Sequence, residues 1–268
     1  MKFNSMMLVC LVLLTGGAYT SRAQVGVPQP NGPANKTPVP NKLPPGPQPL
    51  PAWKYEFARS PVSALNTING ATNNQTIRDP HISAAITGGQ PVFHIFYHPK
   101  YNAATPWKWK LKQIAKLNEV VDFLSYKNAS KAEPLHTQAK VVMASVSGQN
   151  MFYIFYVTND EAKSFNKPQW EAFFTNTADN VLAGVNQSGV GKNGIPLFDF
   201  QVSATDKGFY YFFNPQHEGP GSWGWARAET PEGALKYLNT KYTNKPVDYA
   251  CIAVVQEPTQ TVFYIFYR

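Results

Sequence analysis

The sequence predicts an α+β protein of four tandem β-α-β-β repeats of about 57 residues, with helices on one face of antiparallel sheet. Two observations lead to this prediction: an aromatic strand that recurs four times, and a helical pattern that precedes each copy. The aromatic strands are Val92–Tyr97, Met151–Tyr156, Gly208–Phe213 and Val262–Tyr267. Their central residues are Ile95, Ile154, Tyr211 and Ile265. The near-constant spacing between these residues is the signature of tandem structural units.

A tryptophan and a helix open each repeat. The same number of positions separates Trp53, Trp109, Trp170 and Trp223 from Asn69, Ser125, Asn186 and Asn239, respectively. Apolar pairs at helical spacing lie between them, and Ser60-Pro61 and Thr230-Pro231 are good helix starts because a cap residue precedes proline. The segment that begins at the tryptophan alternates apolar and polar residues. It is a first strand in the β-α-β-β interpretation and a loop in the α-β-β alternative.

Each aromatic strand follows a second apolar strand, and a polar turn joins the two as a hairpin. The preceding strands are predicted at Ile82–Thr87, Val141–Val146, Leu197–Val202 and Ala250–Val255. The turns contain Gly, Asn or Asp, which tolerate the positive φ that tight hairpins require. The four turns are Gly88–Gln90, Ser147–Asn150, Ala204–Lys207 and Gln256–Gln260.

The two faces of the aromatic strands differ, because side chains alternate along a strand. One face is uniform, as in Phe93, Ile95 and Tyr97, and we expect the helices to cover it. The other face carries His94 and Phe96 in the first repeat and Tyr and Phe in the others. Either the repeats pack against one another through this face, or it remains an open aromatic surface, and packing is favoured because an open one promotes aggregation.

The first 52 residues are predicted to lie outside the folded part. Residues 1–23 have a positive start, a short apolar run and a Ser21-Arg22-Ala23 cleavage site, as in a secretory signal peptide. Its removal lowers the net charge from +8 to +6 and leaves Cys251 as the only cysteine, expected to be a buried small residue. Residues 24–52 contain ten prolines and are predicted to be an extended linker. The repeats are then assigned to residues 53–100, 101–160, 161–216 and 217–268, with no transmembrane segment, and the protein is predicted to be secreted or periplasmic.

The repeat resembles a small bacterial β-α-β-β domain family of unknown function. The matching residues are Trp53-Lys54-Tyr55, Leu65-Asn66, Leu238-Asn239 and Tyr264–Arg268. The Gly-Trp-Glu-Leu signature of that family is absent from all four repeats. The resemblance implies β-α-β-β topology and brings no active site.

No catalytic residue, cofactor or metal site is predicted. His94 and His98 share a strand face but lie about 13 Å apart, too far to ligate one metal ion. Because His94 occupies the position of a tyrosine in the other repeats, it is interpreted as an aromatic space-filler. His81, His136 and His217 stand singly, without a Cys, His or Asp spacing around them.

The densest basic and aromatic cluster is the predicted binding site. It consists of Trp107, Lys108, Trp109, Lys110 and Lys112. Lysines attract anionic polymers, and indole faces stack on sugars. The structural alternative is a first strand with lysines on its solvent face.

These patterns predict an exported, non-catalytic binding or scaffold protein for a cell-envelope polymer, a glycan or a protein partner. Export argues against nucleic acid as the natural partner. The alternative is a hydrolase of extracellular or cell-wall polymer, with a site at a repeat junction that includes His94, His98, His217 and Glu218. A third alternative is self-association through an aromatic sheet face.

Overall fold

A computed structural model describes residues 52–70, 76–99, 108–125, 135–159, 169–186, 200–215, 219, 222–242 and 246–268. The predicted signal peptide and nearly all of the predicted linker lie outside these residues, as do Trp107, His217 and Glu218. The described part is α+β, with four helices and four three-stranded antiparallel sheets. None of the described helices is both long and apolar enough to span a membrane.

The elements follow one order, strand-helix-strand-strand, four times, and we call each set a unit. Unit 1 comprises β1 (Lys54–Ala58), α1 (Pro61–Ile68), β2 (His81–Thr87) and β3 (Gln90–Tyr97). Unit 2 comprises β4 (Lys110–Ile114), α2 (Leu117–Leu124), β5 (Leu135–Val146) and β6 (Gln149–Asn159). Unit 3 comprises β7 (Glu171–Thr175), α3 (Ala178–Asn186), β8 (Gln201–Thr205) and β9 (Gly208–Phe213). Unit 4 comprises β10 (Gly224–Ala228), α4 (Pro231–Thr240), β11 (Ala250–Gln256) and β12 (Thr261–Tyr267).

Local sequence signals explain the element boundaries. The Ser60 and Thr230 hydroxyls accept hydrogen bonds of 3.0 Å from the backbone N–H groups of Ser63 and Gly233, so the two predicted helix starts are confirmed. The β2–β3 turn places Gly88 and Gly89 at φ of 59° and 77°. The third hairpin was predicted too early: β8 continues to Thr205, and only Asp206 and Lys207 form its turn.

The aromatic strand lies in the middle of every sheet, between the first and second strands of its unit. We call β1, β4, β7 and β10 the outer strands, and β2, β5, β8 and β11 the inner strands. The inner strands pack against one another in cyclic order: β2 against β5, β5 against β8, β8 against β11, and β11 against β2. The four units therefore close into a ring around the inner strands.

Both faces of the aromatic strands are buried, which decides between the two alternatives for the second face. The core of unit 1 joins Ala64 and Ile68 of α1 to Phe93 and Ile95, and Phe155 of unit 2 completes it. Corresponding cores join unit 2 to unit 3, unit 3 to unit 4, and unit 4 to unit 1. The helices cover the uniform face, as predicted, and the second face packs against the preceding unit.

We call the interface between two neighbouring units a seam, and an edge-to-face aromatic pair is present at all four seams. A phenylalanine of one unit meets the tyrosine or histidine of the next at ring separations of 5.0–6.0 Å. The pairs are Phe93–Tyr153, Phe152–Tyr210, Phe209–Tyr264 and Phe263–His94. His94 therefore fills an aromatic position, as predicted, and it does so at the seam that joins the last unit to the first.

Candidate functional site

The polar residue at the end of each helix forms hydrogen bonds with the backbone of the tryptophan that opens the next unit. The Asn69 side chain accepts from the backbone N–H of Trp109 at 2.8 Å and donates to the Trp109 carbonyl at 3.1 Å. Asn186 forms the same pair of bonds with Trp223, and Ser125 accepts a bond from the Trp170 N–H. Asn239 closes the ring by bonding the Trp53 backbone. These shared polar residues therefore have a structural role.

In units 1 and 2, the indole of the tryptophan that opens the unit adds a further hydrogen bond to the preceding unit of the ring. Trp109 is 3% exposed, and its indole N–H donates to the Ile77 carbonyl at 2.9 Å. Trp53 is buried likewise, and its indole N–H donates to the Val247 carbonyl at 2.8 Å. Since the Trp109 indole lies in the core, it does not present a stacking face to a ligand. Of the predicted binding cluster, this leaves three lysines among the described residues.

Lys108, Lys110 and Lys112 are all exposed. Lys110 and Lys112 are alternate residues of β4, so they project to one side with a spacing of about 7 Å, and Lys108 precedes them by the same interval in the sequence. We call these three residues the lysine row. The Lys110 ammonium donates to the Thr158 hydroxyl at 2.9 Å, and the Lys112 ammonium lies 4.4 Å from the centre of the Phe123 ring. The lysine row therefore follows the outer edge of unit 2, in line with the structural alternative for this segment.

A second polar cluster lies at one register position of the four inner strands. It lines a pocket of about 260 Å³, a volume that includes open solvent at its mouth. One residue from the same register position of each inner strand contributes to its wall: His81, Lys140, Gln201 and Cys251. We call this the axial pocket. The four residues precede Ile82, Val141, Val202 and Ile252, which pair with the central residues of the aromatic strands.

An ion pair and a neutral histidine dominate the electrostatics of the axial pocket. The Lys140 ammonium lies 2.7 Å from one oxygen of Asp79, and the His81 Nε2 lies 3.9 Å from the other. Burial alone would raise the pKa of the Asp79 carboxyl, but the charges of Lys140 and His81 and the Lys140 hydrogen bond lower it to about 2. Burial lowers the pKa of His81 to about 4, so this imidazole is neutral at pH 7.

The other polar side chains at the inner strands satisfy backbone groups of neighbouring units. Gln201 accepts from the Val141 N–H at 2.6 Å and donates to the Ala139 carbonyl. Ser203 accepts from the Met143 N–H and donates to the Val141 carbonyl, both at 3.1 Å. These contacts matter because an inner strand is paired in its own sheet on one side only, and buried N–H and C=O groups require partners.

Two further contacts of this kind involve units 1, 3 and 4. The Ser83 hydroxyl accepts from the Val254 N–H at 2.9 Å. The Cys251 sulfur accepts from the Val202 N–H at 3.2 Å. Cys251 is buried, as predicted, and its thiol also serves as a hydrogen-bond acceptor between two inner strands.

Of the histidines proposed for a hydrolytic site, the structure describes His94 and His98. His94 and His98 are both buried, and neither lines the axial pocket. His94 Nδ1 lies 2.9 Å from the Tyr55 hydroxyl, while His98 packs against the edge of Trp53. Within the described residues, no group of three or more His, Cys, Asp or Glu side chains is placed to hold a metal ion.

The axial cluster was not predicted from the sequence, because His81 stands alone in the chain and its partners come from other units. Aligning the four inner strands by their pairing with the aromatic strands would have revealed it. That alignment places His81, Lys140, Gln201 and Cys251 in one column. The next column holds only the apolar residues Ile82, Val141, Val202 and Ile252. A column of polar residues beside a column of apolar residues is therefore the sequence signal that indicates the axial cluster.

The contacts between units align Asn69 with Asn239, as their equal distance from the opening tryptophans predicts, since each bonds the tryptophan that opens the next unit. The two Leu-Asn pairs of the family resemblance, Leu65-Asn66 and Leu238-Asn239, therefore do not lie at equivalent positions. Asn66 is exposed and takes no part in the fastening of the units. A scan against protein-family models, a search of curated proteins and a search of solved structures each find no match to this chain.

Proposed function

We propose that this chain is an exported binding protein that captures an anionic envelope polymer, glycan or protein along the lysine row of unit 2. The observation that carries the proposal is the exposure of Lys108, Lys110 and Lys112 at alternate positions of one outer segment. Their regular spacing suits a linear ligand with repeated negative charges, because each ammonium can face a successive charged group.

Local charge supports an anionic ligand. The acid closest in sequence to the lysine row is Glu119, and its carboxylate lies 3.0 Å from the ammonium of Lys116. This acid is therefore already paired with a lysine outside the row. The chain without residues 1–23 carries a net charge of +6, which adds a long-range attraction for polyanions. The aromatic ring beside Lys112 belongs to Phe123, a half-buried residue of α2 that offers apolar area to a sugar ring.

The distribution of polar side chains favours binding over catalysis. Gln201, Ser203 and Cys251 bond the backbone of neighbouring units, and Asp79 is paired with Lys140. These groups support the ring, and a reaction would require some of them to change partners. The axial pocket also has little enclosed room for a polymer segment.

We further propose that residues 1–23 are removed on export to the periplasm or the extracellular space, and that residues 24–52 tether the folded part. The folded part would then consist of four copies of one repeat of about 57 residues, at 53–100, 101–160, 161–216 and 217–268. The ring of units supports this division, because in each unit the polar residue at the helix end bonds the opening tryptophan of the next unit.

The test is a binding titration of the purified protein with polygalacturonate, a linear polyanion, and with dextran, a neutral polymer. We expect binding to polygalacturonate alone, with an affinity that falls as salt is added, because salt screens exposed charges. Replacing Lys108, Lys110 and Lys112 together by alanine should weaken binding at least about tenfold, if each lysine contributes roughly 0.5 kcal/mol.

A matched control removes the same charge elsewhere. Lys54, Lys207 and Lys236 are exposed on three different elements or turns, and their triple alanine variant has the same net charge as the test variant. It should retain most of the affinity. Equal weakening by both triple variants would show that net charge alone attracts the polymer, and the lysine row would lose its assigned role.

A further inference from the structure

The outer strand β7 differs from the other three outer strands in its charge. Its sequence is Glu171-Ala-Phe-Phe-Thr175, with one acid and no basic residue. The others all carry basic side chains: Lys54 on β1, Lys110 and Lys112 on β4, and Arg227 on β10. Charged side chains, lysine above all, are the usual means by which an edge strand avoids pairing with another chain.

Exposed aromatic surface is concentrated on the same strand. Phe173 and Phe174 are each 48% exposed, on opposite faces of β7. They are two of the five large hydrophobic residues that are exposed in the described part of the chain. In the sheet, β7 pairs with β9 on one side, and none of the described strands pairs with its other side.

The rings inside unit 3 form a stack that leads to this edge. Phe173 lies 5.7 Å from both Tyr211 and Phe213, with interplanar angles of 24° and 9°. Tyr211 and Phe213 are themselves stacked at 18°. Gly184 of α3 provides room for this arrangement, because a Cβ there would lie 2.6 Å from the Tyr211 hydroxyl. Nearly parallel rings thus extend from the buried sheet to the half-exposed Phe173.

We propose that β7 is a self-association edge, through which two copies of this chain pair antiparallel and join their unit 3 sheets into one of six strands. In a twofold arrangement centred on Phe173, this residue faces its own copy and Glu171 faces Thr175, so no like charges are opposed. The ring stack then continues across the axis from one copy to the other.

The same arrangement is unfavourable at two of the other outer strands. Centred on β4, it would oppose Lys112 to Lys112, and centred on β1 it would oppose Glu56 to Glu56. Like charges directly opposite each other destabilise a strand pair. On β10, Arg227 is already engaged with Glu257 at 3.0 Å and Glu229 at 3.6 Å. Charge and exposed apolar area together therefore select β7.

The test measures the mass of the whole protein by sedimentation velocity over a dilution series. We expect a reversible monomer–dimer equilibrium. Phe173→Lys introduces the residue that unit 2 has at the equivalent position, Lys112, and should raise the dimer dissociation constant at least about tenfold. The melting temperature should remain close to that of the native protein, because the substituted ring is half exposed.

The matched control is Phe57→Lys, which changes a 56% exposed phenylalanine on β1 and should leave the dimer unchanged. A protein that stays monomeric at every concentration would overturn the proposal, as would a dimer that survives Phe173→Lys. If Phe173→Lys melts early, the double variant Glu171→Cys/Thr175→Cys decides instead. Directly opposed residues lie within disulfide reach, so oxidation should link two chains, and failure to link them would also overturn the proposal.

Discussion

The inner and outer edges of the same four sheets solve one physical problem in opposite ways. Both kinds of edge strand present backbone N–H and C=O groups that their own sheet leaves unpaired. At the inner edges, side chains of a neighbouring unit bond these groups, as Gln201 does for β5 and Ser83 does for β11. At the outer edges none of the described strands pairs with these groups, and the side chains determine what can approach.

This difference separates the residues that hold the ring together from those available for function. Side chains at the inner edges are buried, so their loss leaves buried polar groups without partners. Side chains at the outer edges differ between units, as lysines on β4 and phenylalanines on β7 show. We therefore expect substitutions at inner edges to change stability, and substitutions at outer edges to change binding or association.

The largest expected effect is that of Gln201→Leu at an inner edge. It would leave the Val141 N–H and the Ala139 carbonyl without their side-chain partner, at a cost of about 2–5 kcal/mol in the free energy of unfolding. Urea denaturation measures this cost. The matched control is Gln113→Leu, at an exposed position of outer strand β4, where a change below about 0.5 kcal/mol is expected. Similar costs for both variants would remove the distinction between the two kinds of edge.

The next effect is a pH dependence at the seam between units 4 and 1. Burial lowers the pKa of His94 to about 4, below its ordinary value of 6.5. The unfolded chain therefore takes up this proton at higher pH than the folded chain, and stability is lost as the pH falls from about 6.5 to 4. At roughly 1.4 kcal/mol per pKa unit, the loss approaches about 3 kcal/mol. His81 adds a loss in the same window, whereas the contribution of Asp79 is lost only below pH 3.8.

His94→Tyr separates the contribution of His94 from the other two. Tyrosine occupies this position in the other three units, where it packs on a phenylalanine of the preceding unit, so the substitution should preserve the seam. The groups that face His94 are Tyr55 of β1 and Phe263 of β12. Burial raises the pKa of the Tyr55 hydroxyl, and the negative charge of Glu232 on α4 raises it further. Denaturation at pH 7 and pH 4.5 should show a smaller difference for the variant. An unchanged difference would mean that His94 has the same pKa in the folded and the unfolded chain.

A smaller effect on stability is expected from the hydrogen bonds between each helix end and the next unit. Asn239→Ala removes two hydrogen bonds to the Trp53 backbone and should cost about 1–2 kcal/mol. Asn186→Ala removes the equivalent bonds to Trp223, between units that are adjacent in the chain. Amide exchange at Trp53 should quicken in the first variant only, because no chain connection supports the closing seam. Equal exchange at Trp53 in both variants would show that the ring opens as one body.

The smallest effect on stability is expected at the lysine row. Lys110→Ala loses an exposed hydrogen bond to Thr158, and Lys112→Ala loses an exposed contact with Phe123, so the double variant should change stability by less than about 0.5 kcal/mol. Thermal unfolding measures this change. A larger loss would assign the two lysines a structural role and weaken the proposed binding site.

Much of each unit could be predicted from local patterns. The helix caps at Ser60 and Thr230, the hairpins and the covering of the uniform aromatic face by the helix depend on residues of one unit. The polar contacts between units could not be predicted in this way. Asn69 belongs to the same unit as Trp53, yet it bonds Trp109, and only the packing of one unit on the next selects that partner.

The candidate sites divide in the same manner. The lysine row was predicted from sequence, because charge and alternation along one strand are local properties. The indole of Trp109 was assigned to the same surface, but it packs in the core shared with unit 1, where its N–H donates to the Ile77 carbonyl. The axial pocket joins His81, Lys140 and Cys251 from three units, so no single segment contains its signal.

By itself, the sequence determined the α+β class, the strand and helix pattern of each unit and the residues that begin its helices, because hydrophobic period, caps and turns act over a few residues. The tertiary structure alone decided that the fourth unit meets the first, that Asn239 bonds Trp53, and that four unlike side chains share one pocket. These outcomes depend on the angle at which one sheet packs on the next, a quantity that is set by side chains from both units together.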